Sequence, residues 1–271
     1  MAENLGSIIV KGLDTWKKNL NICLPFVFSS VLTFVVAVIV IGSATFLSGT
    51  PFRINLSYLT KLGGVSPDFI PQLPLQLLQS IGAIILFVIL GLIINAFFAA
   101  GAIGMAKEAM EREKASLSDM TAYGKRKFAS MLFANILVGL IVLAGVAFLI
   151  PGFLAIITYM TVLKWIMLAY MVIVSIMFAL TPFAVVVGDL GAIGGMKKGV
   201  KLFWRHKLDV FLLGLIVLVI GLVVGFLTSF IPYIGQLINI VVSVTCILPL
   251  TVLWWTKLYM CMTAPRRLDG F

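Results

Sequence analysis

Charge is confined to short stretches of this chain, and the segments between them are apolar for far longer than a soluble helix or strand requires. No charged residue occurs from Asn19 to Phe52, for example, and Lys164 is the single charge between Phe153 and Gly188. The pattern predicts six membrane spans at about 20–47, 74–106, 128–150, 165–187, 208–230 and 236–262. Each is long enough to cross a hydrocarbon core of ~30 Å. Pro25, Pro182 and Pro249 are expected to bend the first, fourth and sixth near their charged ends. Pro151-Gly152 and Pro232-Tyr233-Ile234-Gly235 read as turns.

Residues 153–188 pose a length problem, because one helix of that stretch would measure ~54 Å at ~1.5 Å per residue. In one reading, 153–164 projects outward as helix and Lys164 marks the outer end of span four, its ammonium snorkelling to the headgroups. In the other the segment is re-entrant or broken, and Lys164 is an intramembrane charge, which is a functional candidate by default.

The charged stretches carry a pattern of their own. In 189–207, Ile193, Met196, Val200, Phe203 and Trp204 recur at helical spacing, with Lys198, Lys201 and Arg205 on another face and Lys197 at its edge. Such a helix lies in a membrane interface, apolar face among acyl chains and basic face toward anionic headgroups. Residues 2–19 repeat the arrangement, with Leu5, Ile8, Ile9, Leu13, Trp16 and Leu20 as the stripe and Lys17 and Lys18 off it. Residues 107–127 are charge-dense and end in Lys125-Arg126-Lys127; Glu108 and Arg112 can pair at i,i+4, and Ser116 or Ser118 can cap the following helix. The segment 48–73, with Pro51, Gly63, Gly64, Pro67 and Pro71, is the longest loop on the other side and carries the sequon Asn55-Leu56-Ser57.

Composition settles the class. The chain is 62% hydrophobic and 11% charged, with a mean hydropathy of +1.17. One soluble core of 271 residues cannot hide that much apolar surface, so lipid must cover it. A net charge of +10 does not indicate nucleic acid here, because the cations flank the spans, as the positive-inside rule and anionic lipid require. Seventeen Lys and Arg fall on the side of residues 2–19, 107–127, 189–207 and 257–271, against three on the other. The expected topology is a single multi-pass cell-membrane domain, residues 1–271, with both termini cytoplasmic. Cys23, Cys246 and Cys261 have no metal-ligand spacing.

An aromatic residue, a basic cluster and two spans recur three times, led by Trp16-Lys17-Lys18, Tyr123 to Lys127, and Trp204-Arg205-His206-Lys207. The fold expected is therefore all-α, with six transmembrane helices in three hairpins, each preceded by an amphipathic interfacial helix. With Ile150-Pro151-Gly152 after span three, and Pro182-Phe183-Ala184-Val185-Val186-Val187-Gly188-Asp189 followed by Gly191-Ala192-Ile193, the chain resembles a group of archaeal and bacterial membrane proteins of unknown function. These are similar to the membrane domain fused to some glycerophosphoryl diester phosphodiesterases. The resemblance implies a membrane domain associated with lipid metabolism. The segment from Gly152 to Asp189 is longer than that pattern, and no phosphodiesterase domain is attached, so the activity is not carried over.

No catalytic, cofactor or metal set can be assembled. His206 is the single histidine and sits between Arg205 and Lys207, without the partners a ligand set or a triad requires. No acid lies deep in a span, which argues against an ion-coupled pump. Gly194-Gly195 lacks the Lys-Ser/Thr of a phosphate loop. Five positions fall at similar depth from the basic end: Pro25, Asn95, Asn135, Pro182 and Pro249. They line an inner cavity in one reading; in the other the prolines simply bend helices and Asn95 bonds Asn135 as packing glue. The function expected is non-enzymatic binding of lipid, with anionic headgroups the partners, or of a partner membrane protein or second copy, at the cytoplasmic leaflet. The contacts would be Lys17, Lys18, Lys125, Arg126, Lys127, Lys197, Lys198, Lys201 and Arg205. The alternatives are a transporter or channel for a small or amphipathic solute, and the lipid-metabolic domain above.

Overall fold

The computed structural model describes residues 4–48, 75–155, 160–232 and 234–264, and no strand occurs among them. In chain order they form α1 (Leu5–Lys18), a 3-10 turn (Leu20–Cys23), α2 (Leu24–Ser48), α3 (Leu75–Arg112), α4 (Leu117–Ala155) and α5 (Met160–Phe178). Then come α6 (Thr181–Val186), α7 (Ala192–Arg205), α8 (Lys207–Ser229), α9 (Gly235–Val242), a π-helical turn (Ser243–Ile247) and α10 (Leu248–Thr263). Among the described residues, six stretches are long and apolar enough to cross a membrane: Leu20–Ser43, Ile81–Arg112, Leu117–Gly145, Trp165–Val186, Lys207–Ser229 and Gly235–Thr263. The chain is an all-α polytopic membrane protein. The loop 49–73, with Arg53, Lys61 and the Asn55 sequon, and the tail with Arg266 and Arg267 lie outside the described residues.

Two expectations about boundaries change. Only the first and third hairpins have a separate leading helix, α1 and α7. The second cytoplasmic segment is the ends of two long helices, because α3 runs on to Arg112 and α4 already begins at Leu117. A capping box fixes that start: the Ser116 hydroxyl accepts from the Asp119 amide (3.3 Å), and the Asp119 carboxylate accepts from the Ser116 amide (2.9 Å). Pro151-Gly152 does not end the helix either; α4 continues to Ala155. A proline forfeits one backbone bond, and transmembrane helices tolerate this where neighbouring groups compensate. Lys164 falls inside α5, one residue before the apolar stretch that starts at Trp165.

The bending prolines stand at helix restarts. Pro25 opens α2 after the 3-10 turn, Pro182 opens α6 after a turn at 179–180, and Pro249 opens α10 after the π turn. A ring without an N–H is cheapest in a first helical turn, where that donor has no partner in any case. The widened π turn leaves spare carbonyls, and Cys23 donates its thiol hydrogen to one, the Thr245 oxygen (3.0 Å).

Packing is concentrated at the end of the molecule that carries the basic residues. There α3 and α4 interdigitate: Ala96 and Ala100 are fully buried, Tyr123 occupies the space a side chain at Gly104 would fill, and Phe97 lies 3.0 Å from a Cβ built at Gly124. Lipid tails are as apolar as leucine, so helices in a bilayer gain by this close approach rather than by escape from water. The centre is α6, the most enclosed element. Leu180, Thr181, Ala184, Val185 and Val186 are 0–1% exposed, and Phe183 stacks on Trp255 of α10 at 6.3 Å. The other halves of the spans present large side chains outward, among them Phe34, Ile39, Leu143, Ile173, Leu222 and Phe226.

Both leading helices dock on protein. The stripe of α1 lies on α10: Ile8 is 1% exposed, and Trp254 fills the space over Gly12 and donates its indole N–H to the Ile9 carbonyl (3.2 Å). That corrects the reading of this stripe as lying in acyl chains. α7 docks through Gly195, Gly199 and Leu202, all buried, with a Cβ at Gly199 only 3.0–3.1 Å from the backbone and hydroxyl of Thr181. Gly199→Val should therefore lower the thermal midpoint in detergent, by about 1–3 kcal/mol of overpacking. Gly194→Ala, where a Cβ meets only Leu190 Cβ at 3.7 Å, should be neutral or stabilising by up to ~1 kcal/mol.

Candidate functional site

The basic residues named from the sequence separate into two groups. Lys17, Lys18, Lys125, Arg126, Lys197, Lys198, Lys201 and Arg205 are exposed. Lys127 is buried, its side chain 9% exposed, and its ammonium sits 2.6 Å from the Asp189 carboxylate. Its role is therefore internal, in place of the headgroup contact expected. Arg126 reaches the same carboxylate at 3.5 Å and lies over the Tyr123 ring, 4.9 Å from its centre. Tyr123 in turn donates its hydroxyl to Glu108 (2.8 Å), which also holds Arg112 (3.0 Å) as the i,i+4 spacing predicted. A chain of charge and hydrogen bonds thus runs from the end of α3 across α4 to the turn between α6 and α7.

Asp189 adopts a left-handed backbone, φ 54°, which reverses the chain between α6 and α7. Short polar side chains occupy that region at the least steric cost. The Lys127 hydrogen bond, followed by the charges of Lys127 and Arg126, holds its carboxyl below the ordinary value of 3.8. The turn is thereby clipped to α4.

Around the axis of α7, at ~100° per residue, three sectors follow one another. Gly195, Gly199 and Leu202 face the protein. Next come Met196, Val200 and Phe203, half-buried, and Ile193 and Trp204, 62% and 65% exposed. Lys197, Lys201, Arg205 and Lys198 complete the turn, exposed and without an ion-pair partner among the described residues. Nearby acids are already engaged: Asp189 by Lys127, and Asp209 by His206, whose Nδ1 is 3.7 Å from its carboxylate. His206 links α7 to α8, and no cluster of three His, Cys, Asp or Glu suited to a metal occurs among the described residues.

A polar cleft of about 360 Å³ opens at the same end, lined by Lys11, Asp14, Lys18, Asn19, Glu113 and Lys257, with Lys18 3.8 Å from Glu113. Asn19 is its structural member: its amide donates to the Glu113 carbonyl (3.1 Å) and accepts from the Ala115 amide (3.0 Å), tying the end of α1 to the α3–α4 turn. The five residues proposed for an inner cavity line neither this cleft nor the apolar groove between α4 and α7. Asn135 donates to Asn95 at 3.4 Å, Pro25 and Pro249 are buried and Pro182 is half-buried.

Two features escaped sequence reasoning. One is the docking face of α7, signalled by Gly195-Met196-Lys197-Lys198-Gly199, a small-xxx-small spacing that invites close contact. The other is the Lys127–Asp189 clip. Its signal was Asp189 itself, the one acid between Asp119 and Asp209.

A folded-state pKa below the unfolded one means that the clip contributes fully above about pH 4 and is lost as pH falls through the folded value. Asp189→Asn should therefore lower the thermal midpoint at neutral pH. Its difference from the wild type should close on acidification below about pH 4, which unfolding scans at stepped pH would read.

No curated protein and no solved structure matches the chain. Residues 69–261, reaching from just before α3 to near the end of α10, match the family described as domain of unknown function (DUF7847). That match takes in the α3–α4 pair, α6, the Asp189 clip and the basic helix α7, and the chain accordingly belongs to the DUF7847 family.

Proposed function

We propose that this protein is a non-enzymatic membrane protein that binds anionic lipid headgroups through α7, at the cytoplasmic leaflet of the cell membrane. One observation carries the reading: four cations with no ion-pair partner among the described residues, Lys197, Lys198, Lys201 and Arg205, lie along α7 beside the exposed apolar pair Ile193 and Trp204. An interfacial helix needs that adjacency, with apolar side chains at the acyl boundary and cations at phosphate level. Each cation near an anionic surface contributes ~1 kcal/mol of attraction. The glycine sector holds the helix on the protein, so its other two sectors stay aimed at the bilayer. The positive-inside bias supports a cytoplasmic setting for this end and for both termini.

The transporter alternative would use the polar cleft. Behind Ala109 of its lining, however, Ile22, Met105 and Leu253 form a fully buried apolar cluster, which favours a closed floor over a path. The lipid-metabolic alternative fits a headgroup-binding surface as well and needs no change of site.

In nanodiscs of mixed zwitterionic and anionic phospholipid, the wild type should collect anionic lipid in its shell. Neutralising Lys197, Lys198, Lys201 and Arg205 together to Gln should lower that enrichment several-fold, and salt should weaken what is left. Equal shells around both proteins would sink the reading. A protein lost from the native membrane complex on neutralisation, with the shell unchanged, would replace lipid by a partner.

A further inference from the structure

We infer that the apolar groove between α4 and the start of α7 holds one acyl chain of an anionic phospholipid, with Lys125 and Arg126 meeting its headgroup. The groove measures about 430 Å³ and is walled by Ala129, Ser130, Phe133 and Leu137 on one side and by residues 191–194 on the other. That volume falls within the ~300–1,000 Å³ usual for small-ligand sites. Ser130 brings the single polar side chain among the lining residues, and the other side-chain-bearing residues, Ala129, Phe133, Leu137, Ala192 and Ile193, are all apolar, so the walls suit hydrocarbon.

Charge order along the groove selects the kind of hydrocarbon. Lys125 and Arg126 stand four residues before Ala129 and Ser130, one turn toward the basic end on the same face of α4. Both are exposed. Arg126 also reaches Asp189, two residues before the Gly191 wall, so its guanidinium lies where the groove meets headgroup level. From Ala129 to Leu137 the wall extends ~12 Å into the span. Cations at the mouth and apolar walls beyond match a phosphate at one end of a chain and hydrocarbon along it. Free phosphate would leave the walls unused, and a neutral lipid would leave the exposed Lys125 unused, Arg126 being already in reach of Asp189.

The opposite wall is kept low by glycine. A Cβ at Gly191 would meet nothing within 4 Å, and one at Gly194 only Leu190 Cβ at 3.7 Å. Neither glycine is required by the fold, in contrast to Gly195 and Gly199. Their lack of side chains maintains an open volume. The inference rests on the proposed function in setting this end at headgroup level, but it uses a different surface from the four cations of α7.

The test is native mass spectrometry of the full chain, released from nanodiscs of phosphatidylcholine with a minority of phosphatidylglycerol. The wild type should retain one phosphatidylglycerol. Gly194→Leu with Ala129→Leu fills the groove without touching a charge and should cut the retained fraction about tenfold, with the thermal midpoint unchanged. Lys125→Gln should shift retention toward phosphatidylcholine. The quadruple α7 variant should lose shell enrichment yet keep the retained lipid. Retention unaffected by filling, or phosphatidylcholine held equally well by the wild type, would overturn the groove site and leave the α7 reading standing. Loss of the retained lipid on filling, with shell enrichment indifferent to the quadruple variant, would do the reverse.

Discussion

The close approach of α7 to α6 is the contact on which the basic end of the protein depends. At Gly199 the backbones come so near that a methyl group would press on Thr181, and such contact is among the few attractions a bilayer leaves undiminished. The six residues of α6 are wrapped by α3, α4, α7 and α10, and their enclosure makes them a rigid anvil. Against it α7 is held along its length, clipped at the start by Asp189 and continued through His206 into α8. The glycines that allow docking leave Leu202 as the one large apolar residue on that side, so the other apolar residues of α7 project elsewhere. A helix that is amphipathic in sequence therefore has three faces in space, and only one of them is buried against α6.

Most of the architecture could be read from the chain because burial in lipid and burial in protein demand the same residues. Long uncharged runs gave six spans, and Ser116 capped α4 as its spacing suggested. The same equivalence hid the rest. An apolar stripe does not say whether acyl chains or another helix will cover it, and Ile8 and Trp254 answer that for α1 only through a contact across most of the chain. Lys127 looked like its neighbours because burial of a cation is decided by where a distant carboxylate falls. The second hairpin lost its expected leading helix for a local reason: α3 and α4 have no break within their charged turns, so interfacial and spanning residues share one axis.

The unequal distribution of packing has a physical reading as well. Small residues, buried prolines and paired charges gather at one end, while the opposite halves of the spans carry large side chains turned outward. One end is thus determined by protein contacts and the other by whatever hydrocarbon surrounds it.

The bond from Trp254 to Ile9 joins residues 245 apart and fastens the first helix to the last. During synthesis, at ~5–20 residues per second, α1 waits on the order of tens of seconds before the tryptophan that covers Gly12 exists. Through that interval the stripe of α1 lacks the α10 surface that covers it in the folded protein. In the folded protein the same residues form a clasp between α1 and α10 that can close only once both exist.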